Sequence, residues 1–267
     1  MLKTNFLILL FIFEIYLIKI IVAADFLSEK PDFLKSCEIK KPQFTKCSTE
    51  SIQGLFNNIE NGIPGFTAIK SFEPFTLNKI RIAQGNSEAV NINVDLSKLK
   101  LYGLTKIIVK ESKVSSKDFS WKTTLLLPKM KIESDYGLQG RILLIPLNGN
   151  GKMILHISDL NVVLYTKTKL YEKGGFTFYN VTDTKIDYNL NGFQSYFTNL
   201  FGGNKDLEES TNLFFNENWM MLAEALRPVL TQAIQDVLLD MLQKIFHYIP
   251  AQFFVSDIPT PKELYGN

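Results

Sequence analysis

The sequence predicts an α+β fold in which a strongly curved antiparallel β-sheet wraps a long C-terminal α-helix, and three observations carry that prediction. The middle of the chain alternates apolar and polar residues in runs separated by turn signals, the pattern of strands with one buried and one solvated face. The last third changes to apolar residues every three to four positions, the period of a helix. No long helical pattern lies between the strand runs, so they are expected to pair as antiparallel hairpins rather than through crossovers.

Taken in order, the chain opens with Lys3 before an apolar stretch over residues 6–13, which resumes over 15–22 and ends in Val22-Ala23-Ala24. This reads as a secretory signal over residues 1–24, leaving one domain over residues 25–267. The alternative is an uncleaved anchor, because residues 5–24 are nearly long enough to span a bilayer. Glu14 and Lys19 weigh against it, since a charge near a bilayer centre costs about 2.5–3.5 kcal/mol on insertion scales. In an oxidising compartment Cys37 and Cys47, the two cysteines of the chain, have each other as partners, and a disulfide closing that short loop is expected. Its entropic effect is on the order of 3 kcal/mol or less. The sequon Asn180-Val181-Thr182 offers a glycosylation site at Asn180. In a strand that alternates strictly, Asn180 faces outward with Phe178, while Thr177, Tyr179 and Val181 turn inward.

Residues 48–61 put Ile52, Leu55, Phe56 and Ile59 on one face, with Ser48 as a candidate N-cap and Gly62 and Pro64 as a stop, which predicts an amphipathic helix. Strands follow. Val90, Ile92, Val94 and Leu96 alternate with Asn91, Asn93 and Asp95, and Phe119, Trp121, Thr123, Leu125 and Leu127 alternate with mostly polar neighbours. Similar runs over 107–114, 138–147, 152–165 and 175–190 bring the count to six or more, with turns expected at Gly85-Asn86, Asn148-Gly149-Asn150-Gly151 and Gly174-Gly175. From Trp219 to Ile249 the periodic residues are Leu222, Leu226, Val229, Ala233, Val237, Met241, Ile245 and Ile249. A helix of that length is about 45 Å long, close to the full diameter of a domain this size, with a bend expected at Pro228. Its polar positions, Glu224, Arg227, Thr231, Gln235, Asp240, Lys244 and His247, form a narrow stripe, and a curved sheet is expected to cover the rest.

Composition narrows the function classes. With 46% hydrophobic and 12% aromatic residues the chain is neither disordered nor fibrous, and 29 basic against 27 acidic side chains, interleaved along the chain, give no footprint for nucleic acid. Two histidines, His156 and His247, are too few for a metal site built on several His/Cys ligands. No Gly-x-Ser-x-Gly elbow is present. Gly149-Asn150-Gly151-Lys152 departs from a phosphate loop at Pro146 and Met153, and pairs such as Glu208-Glu209 lie in polar surroundings with nothing to separate their pKa values. The expectation is a protein that is not an enzyme and holds no metal or cofactor.

A long cylinder inside a rolled sheet leaves a channel that side chains do not have to fill, and an apolar cavity of that kind is a ligand site by default. Pattern alone does not separate a lined channel from a filled core. The candidate lining residues are Trp121, Leu125, Leu226 and Val237, with Tyr136, His156 and Tyr165 as candidate polar contacts that set selectivity.

The motifs also resemble a family. The close pair Cys37 and Cys47 is followed by Gly62-Ile63-Pro64 and by Leu101-Tyr102-Gly103-Leu104. Then come Tyr136-Gly137-Leu138-Gln139-Gly140 leading into Leu147-Asn148-Gly149-Asn150-Gly151-Lys152, and Asn199-Leu200-Phe201-Gly202-Gly203 before Asn216-Glu217-Asn218-Trp219. In order and spacing these are similar to the insect haemolymph juvenile-hormone-binding and takeout-like proteins, over residues 25–259. The resemblance implies an α/β-wrap, the super-roll of tubular lipid-binding proteins, whose internal tunnel receives a terpenoid, fatty acyl or similar lipid. The single cysteine pair is as in the takeout-like branch. The function expected is therefore that of a secreted, monomeric carrier in haemolymph or another extracellular fluid. Membrane contact is left open, and a membrane-surface lipid-transfer protein or a lipid esterase are the alternatives.

Overall fold

The computed structural model describes residues 25–84, 90–143 and 145–266. The expected signal segment and the Gly85-Asn86 turn lie outside the described residues. Helix α1 (Phe44–Asn58) is followed by β1 (Phe75–Gln84), β2 (Val90–Tyr102), β3 (Ile108–Val114), β4 (Trp121–Ile142), β5 (Ile145–Lys173), β6 (Phe176–Asn189) and β7 (Gly192–Phe197). Helices α2 (Lys205–Glu217), α3 (Trp219–Tyr248) and the short α4 (Pro261–Tyr265) complete the chain.

The strands form one seven-stranded sheet in the order β1-β2-β4-β5-β6, with β3 on β4 and β7 on β5, and every pairing is antiparallel. The β4–β5 hairpin is its axis, with strands of 22 and 29 residues. Along β4 the partners β3 and β2 lie end to end, and along β5 the partners β6 and β7 do the same. The outer strands β1 and β6 do not pair with each other, so the sheet curves without closing into a barrel.

Each long strand exchanges its inward and outward faces once. On β4 the buried residues are Trp121, Thr123, Leu125 and Leu127 at one end, then Ser134, Tyr136, Leu138 and Ile142 at the other. On β5 they are Leu147, Gly149 and Met153, then Thr166, Thr168 and Leu170. Both strands switch at one level, where the Pro128–Asp159 pair is missing from the ladder between Leu127↔Leu160 and Lys129↔Ser158 while the register on either side is unchanged, and Asp159 takes φ +49°. Strands β1 and β2 switch together at Asn78 and Lys98, the latter at φ +52°. Because both partners change face at the same level, the register is kept, and a local irregularity of this kind adds bend and twist. This is how such long strands coil around a helix.

Several sequence expectations need correction. Helix α1 begins four residues earlier than Ser48, with Gln43 as an N-cap that makes no side-chain cap bond, and Ser48 is buried inside it. The earlier start lets Phe44 reach the core. Phe119 lies before β4 in the turn after β3, at φ +56°, yet is buried. The run 138–147 is two strands, because the chain turns after Ile142. Asn148-Gly149-Asn150-Gly151 is not a turn but part of β5. Its glycines let the 198–200 segment lie close alongside: a Cβ at Gly149 would come within 3.1 Å of the Leu200 Cα, and one at Gly151 would collide with the Thr198 carbonyl. Phe178 is buried instead of sharing Asn180's exposed face, because Phe26 of the N-terminal segment and Tyr171 pack on it with ring centroids at 5.5 and 5.6 Å. Asn180 itself is exposed.

Helix α3 covers the concave side over the span the period predicts, with Pro228 inside it. Two residues of its polar stripe, Arg227 and Gln235, together with Gln243, meet the free edge of β6. Arg227 Nη1 donates to the Tyr188 carbonyl (2.8 Å), the Ile186 amide donates to Gln235 Oε1 (3.0 Å), the Thr184 hydroxyl donates to the Gln235 carbonyl (3.0 Å), and Gln243 Nε2 donates to the Val181 carbonyl (2.9 Å). The bonds to the Tyr188, Ile186 and Val181 backbone satisfy edge groups that would otherwise template another strand. At the far end of α3 the two termini are joined: the Cys37 amide donates to the Phe254 carbonyl (2.9 Å), the Ser256 amide to the Cys37 carbonyl (2.9 Å) and the Leu27 amide to the Tyr248 carbonyl (2.8 Å). Cys37 and Cys47 are disulfide-bonded with Cα atoms 5.8 Å apart, which ties α1 to this corner.

Candidate functional site

The core is divided. One buried cluster holds Trp121, Leu125, Leu127, Tyr179, Val181, Phe246 and Phe254 together with α1 and the disulfide. A second holds Val90, Ile92, Leu96, Tyr136, Leu138, Leu147, Met153, Leu200, Phe215 and Leu222. Between them runs a strip of apolar side chains that are only half-buried. Met130, Leu160, Val162, Met241 and Leu242 border the first cluster, Ile132, Leu155, Leu226 and Val229 border the second, and Leu77 and Leu101 touch both. On α3 no residue from Ala223 to Lys244 is buried, although Leu226, Val229, Leu230, Val237, Leu238 and Leu242 lie in that stretch. In a solid core such residues are among the most completely buried types. The middle of α3 meets the sheet through hydrogen bonds to β6, while its apolar side chains stay unburied.

The candidate site residues distribute unevenly over this frame. Trp121 (6% exposed) and Leu125 belong to the first cluster, and Tyr136 (4%) to the second. Leu226 borders the second cluster from α3, and Val237 lies half-buried in the helix centre. His156 and Tyr165 do not join them. Both are exposed on the outer face, Tyr165 at 43% with the Lys122 ammonium 5.3 Å from its ring centroid. The physical reason is the face exchange at Asp159: inward positions on β5 are odd-numbered before it and even-numbered after it, and strict alternation could not reveal that.

Tyr136 points inward, but its hydroxyl is already used, donating to the Thr198 carbonyl at 2.9 Å. Burial, with a smaller contribution from the Glu208 carboxylate, pushes its pKa up to about 12, so the hydroxyl remains a donor near neutral pH. Its ring is edge-on to Phe197 at 5.2 Å. Tyr136→Phe should therefore leave ligand preference unaltered and lower unfolding free energy by about 0.5–1.5 kcal/mol, the net value of one hydrogen bond. Denaturant titration of the variant beside a ligand competition series checks both halves.

Sequence reading missed two features. Among the described residues the buried Trp121 Nε1 and Tyr179 hydroxyl have no polar partner beyond each other, and the two rings meet edge-to-face at 5.6 Å. Tyr179 was legible as an inward aromatic, but nothing in the sequence placed it against Trp121. The second feature is on the flank, where α3 and the β6 edge leave an open polar groove. One part, about 370 Å³, is lined by residues including Ile186, Tyr188, Arg227 and Thr231, and another, about 260 Å³, by residues including Asp183, Lys185 and Asp236. Gln232 and Gln235 line both.

Comparison with known proteins matches this architecture. The family model described as haemolymph juvenile hormone binding protein matches residues 15–256. This chain belongs to the haemolymph juvenile hormone binding protein family. Among relatives, the circadian clock-controlled protein daywake of Drosophila melanogaster is 29% identical over 231 residues, covering 84% of this chain and 87% of that protein. Daywake of Drosophila yakuba is 28% identical over 235 residues, covering 85% and 89%. The crystal structure of Epiphyas postvittana Takeout 1 superposes with a TM-score of 0.72 at 19% identity, over 84% of this chain and all of that one. That likeness extends to the curved sheet and the C-terminal helix, so the fold is that of the family. The Cys37–Cys47 bond expected from the sequence is present in it.

Proposed function

We propose that this member of the juvenile hormone binding protein family is a secreted, non-enzymatic carrier that holds one small apolar molecule between α3 and the concave face of β4 and β5. The observation that carries the reading is the helix centre: from Ala223 to Lys244 none of its apolar side chains, Leu226, Val229, Val237 and Leu242 among them, is buried. A terpenoid or acyl chain laid along the strip would supply the missing cover. Burying 300–400 Å² of such a molecule is worth roughly 7–10 kcal/mol before ordering costs at about 25 cal/mol per Å², which corresponds to micromolar or somewhat tighter binding. No covalent step is needed.

The disulfide and the family support an extracellular setting, and the exposed Asn180 is available to a glycan. Among the described residues no helix is long and apolar enough to cross a membrane. Mass spectrometry of organic extracts from protein secreted by its native tissue tests the reading. A stoichiometric apolar compound is expected, and protein that emerges without lipid and takes none up would refute it.

A further inference from the structure

We propose that the outer face of the sheet docks on a phospholipid surface with anionic headgroups, through an apolar strip across β3, β4 and β5 and a rim of unpaired lysines. The inference goes beyond the carrier reading, because it concerns where the protein meets lipid rather than what it holds inside. The strip follows from the register. Ile108 stands opposite Leu126, Thr124 opposite Val163, and Lys122 opposite Tyr165. Val163 is thus the diagonal neighbour of Leu126, within reach of side chains of this size, and Tyr165 is two residues further along the same face of β5. All four point outward, since Val109, Leu125 and Leu127 beside them are buried, Val162 packs against the first cluster, and side chains alternate along a strand. Ile108 is 42% exposed and Tyr165 43%, with Leu126 and Val163 half-buried. Scattered apolar side chains are ordinary on a surface, but a contiguous strip rimmed by polar groups points to a partner.

Lysines surround the strip. The row that contains Tyr165 reads Lys113, Lys122, Tyr165 and Lys185 across β3, β4, β5 and β6. Lys106 and Lys110 lie on either side of Ile108 in the chain, and Lys129 follows Leu126 along β4. Among the described residues Lys106, Lys110, Lys122, Lys129 and Lys185 form no ion pair. Lys113 does, with Glu111 at 2.8 Å. Lys113 and Lys122 stand directly opposite each other, a like-charge pairing that destabilises a sheet and that an anionic surface laid over the row relieves. Asp187, the acid opposite Val163, is within electrostatic reach of the Arg227 guanidinium. Lysine stems cover apolar surface while their ammonium groups reach headgroups, and a tyrosine suits that boundary, with its ring in the apolar zone and its hydroxyl in the wet one. A sulfated polysaccharide would use the lysines but leave Ile108, Leu126 and Val163 in water, so the strip favours lipid. Asn180 lies five residues before Lys185 on β6, about 16 Å away, so a glycan there borders the surface without covering it.

The test is co-sedimentation of the full-length secreted protein with vesicles of phosphatidylcholine alone, or of phosphatidylcholine and phosphatidylglycerol in equal parts. The mixed vesicles should bind it at least about tenfold better than the neutral ones, since each lysine near an anionic surface contributes about fivefold. Binding should weaken as salt rises from about 0.1 to 1 M, because the screening length falls from about 10 to 3 Å. Lys122→Gln together with Lys185→Gln should lower partition onto mixed vesicles about tenfold to thirtyfold, and Ile108→Ser together with Tyr165→Ser about tenfold, on the scale of apolar burial. Uptake of a pyrenyl alkane by the lysine variant should equal that of wild type, which keeps docking and carriage separate. No binding to mixed vesicles, binding indifferent to the lysine pair, or lysine-dependent binding that ignores Ile108 and Tyr165 overturns the proposal. Retention on immobilised heparin without vesicle binding also overturns it and makes the face a polysaccharide site. Should a variant fail to fold, the wild-type comparison decides: equal binding to both vesicles, unmoved by salt, contradicts the docking surface.

Discussion

Replacing Trp121 by alanine should lower unfolding free energy by about 3–5 kcal/mol, the usual cost of truncating a large buried aromatic. Trp121 is 6% exposed and packs against Tyr179, Phe246 and Phe254, side chains contributed by β6, the end of α3 and the C-terminal segment. Its loss leaves a hole where three parts of the chain meet. Probe affinity should fall as well, but as a consequence of a loosened first cluster, and the decline should be similar for ligands with and without an oxygen. Denaturant melts give the stability figure directly. A loss under about 1 kcal/mol would place Trp121 outside the tightly packed core described for such sites.

The second large effect separates a lined channel from a filled core. Leu160 lies just past the face exchange of β5, turned inward and half-buried beside the first cluster. In a filled core, Leu160→Trp would overpack and cost about 1–3 kcal/mol. Here the added ring should occupy the channel, so stability should change by less than about 0.5 kcal/mol, within the range of benign substitutions. Uptake of an apolar probe should fall at least about tenfold, since the ring takes space and contact area from the ligand. Loss of stability together with unaltered uptake would reverse the assignment.

Much of the fold was legible because its strongest signals are long and regular. The α3 period persists over Trp219–Tyr248, long enough for Pro228 not to disguise it. Alternation in Val90, Ile92, Val94 and Leu96 marked β2 up to its switch at Lys98. The cysteine pair was legible from compartment and count. Two of the misses share one physical cause, the exchange of strand faces. Strand β1 reads Phe75 and Leu77 inward and then Ile80 and Ile82, so its alternation breaks midway and the strand escapes notice. The same exchange at Asp159 sent His156 and Tyr165 to the outer face. Close chain approach, rather than a turn, explains the glycines at 149 and 151, and that depends on a partner segment about fifty residues away. Helix α2 was hidden because its sequence is largely polar; its anchoring comes from Asn212 and Asn216, which exchange hydrogen bonds with the backbone of Phe197 and Ser195 on β7. The site was legible as an apolar helix within a sheet, but the half-burial of its centre is a property of packing and has no sequence signature.

The most direct test of the central claim is an equilibrium titration of the delipidated protein with a pyrenyl alkane, performed alongside Leu160→Trp. Saturation at one probe per chain with micromolar or tighter affinity, lost in the folded variant, is the predicted result. A wild-type protein that is folded, lipid-free and shows no saturable uptake would contradict the carrier function.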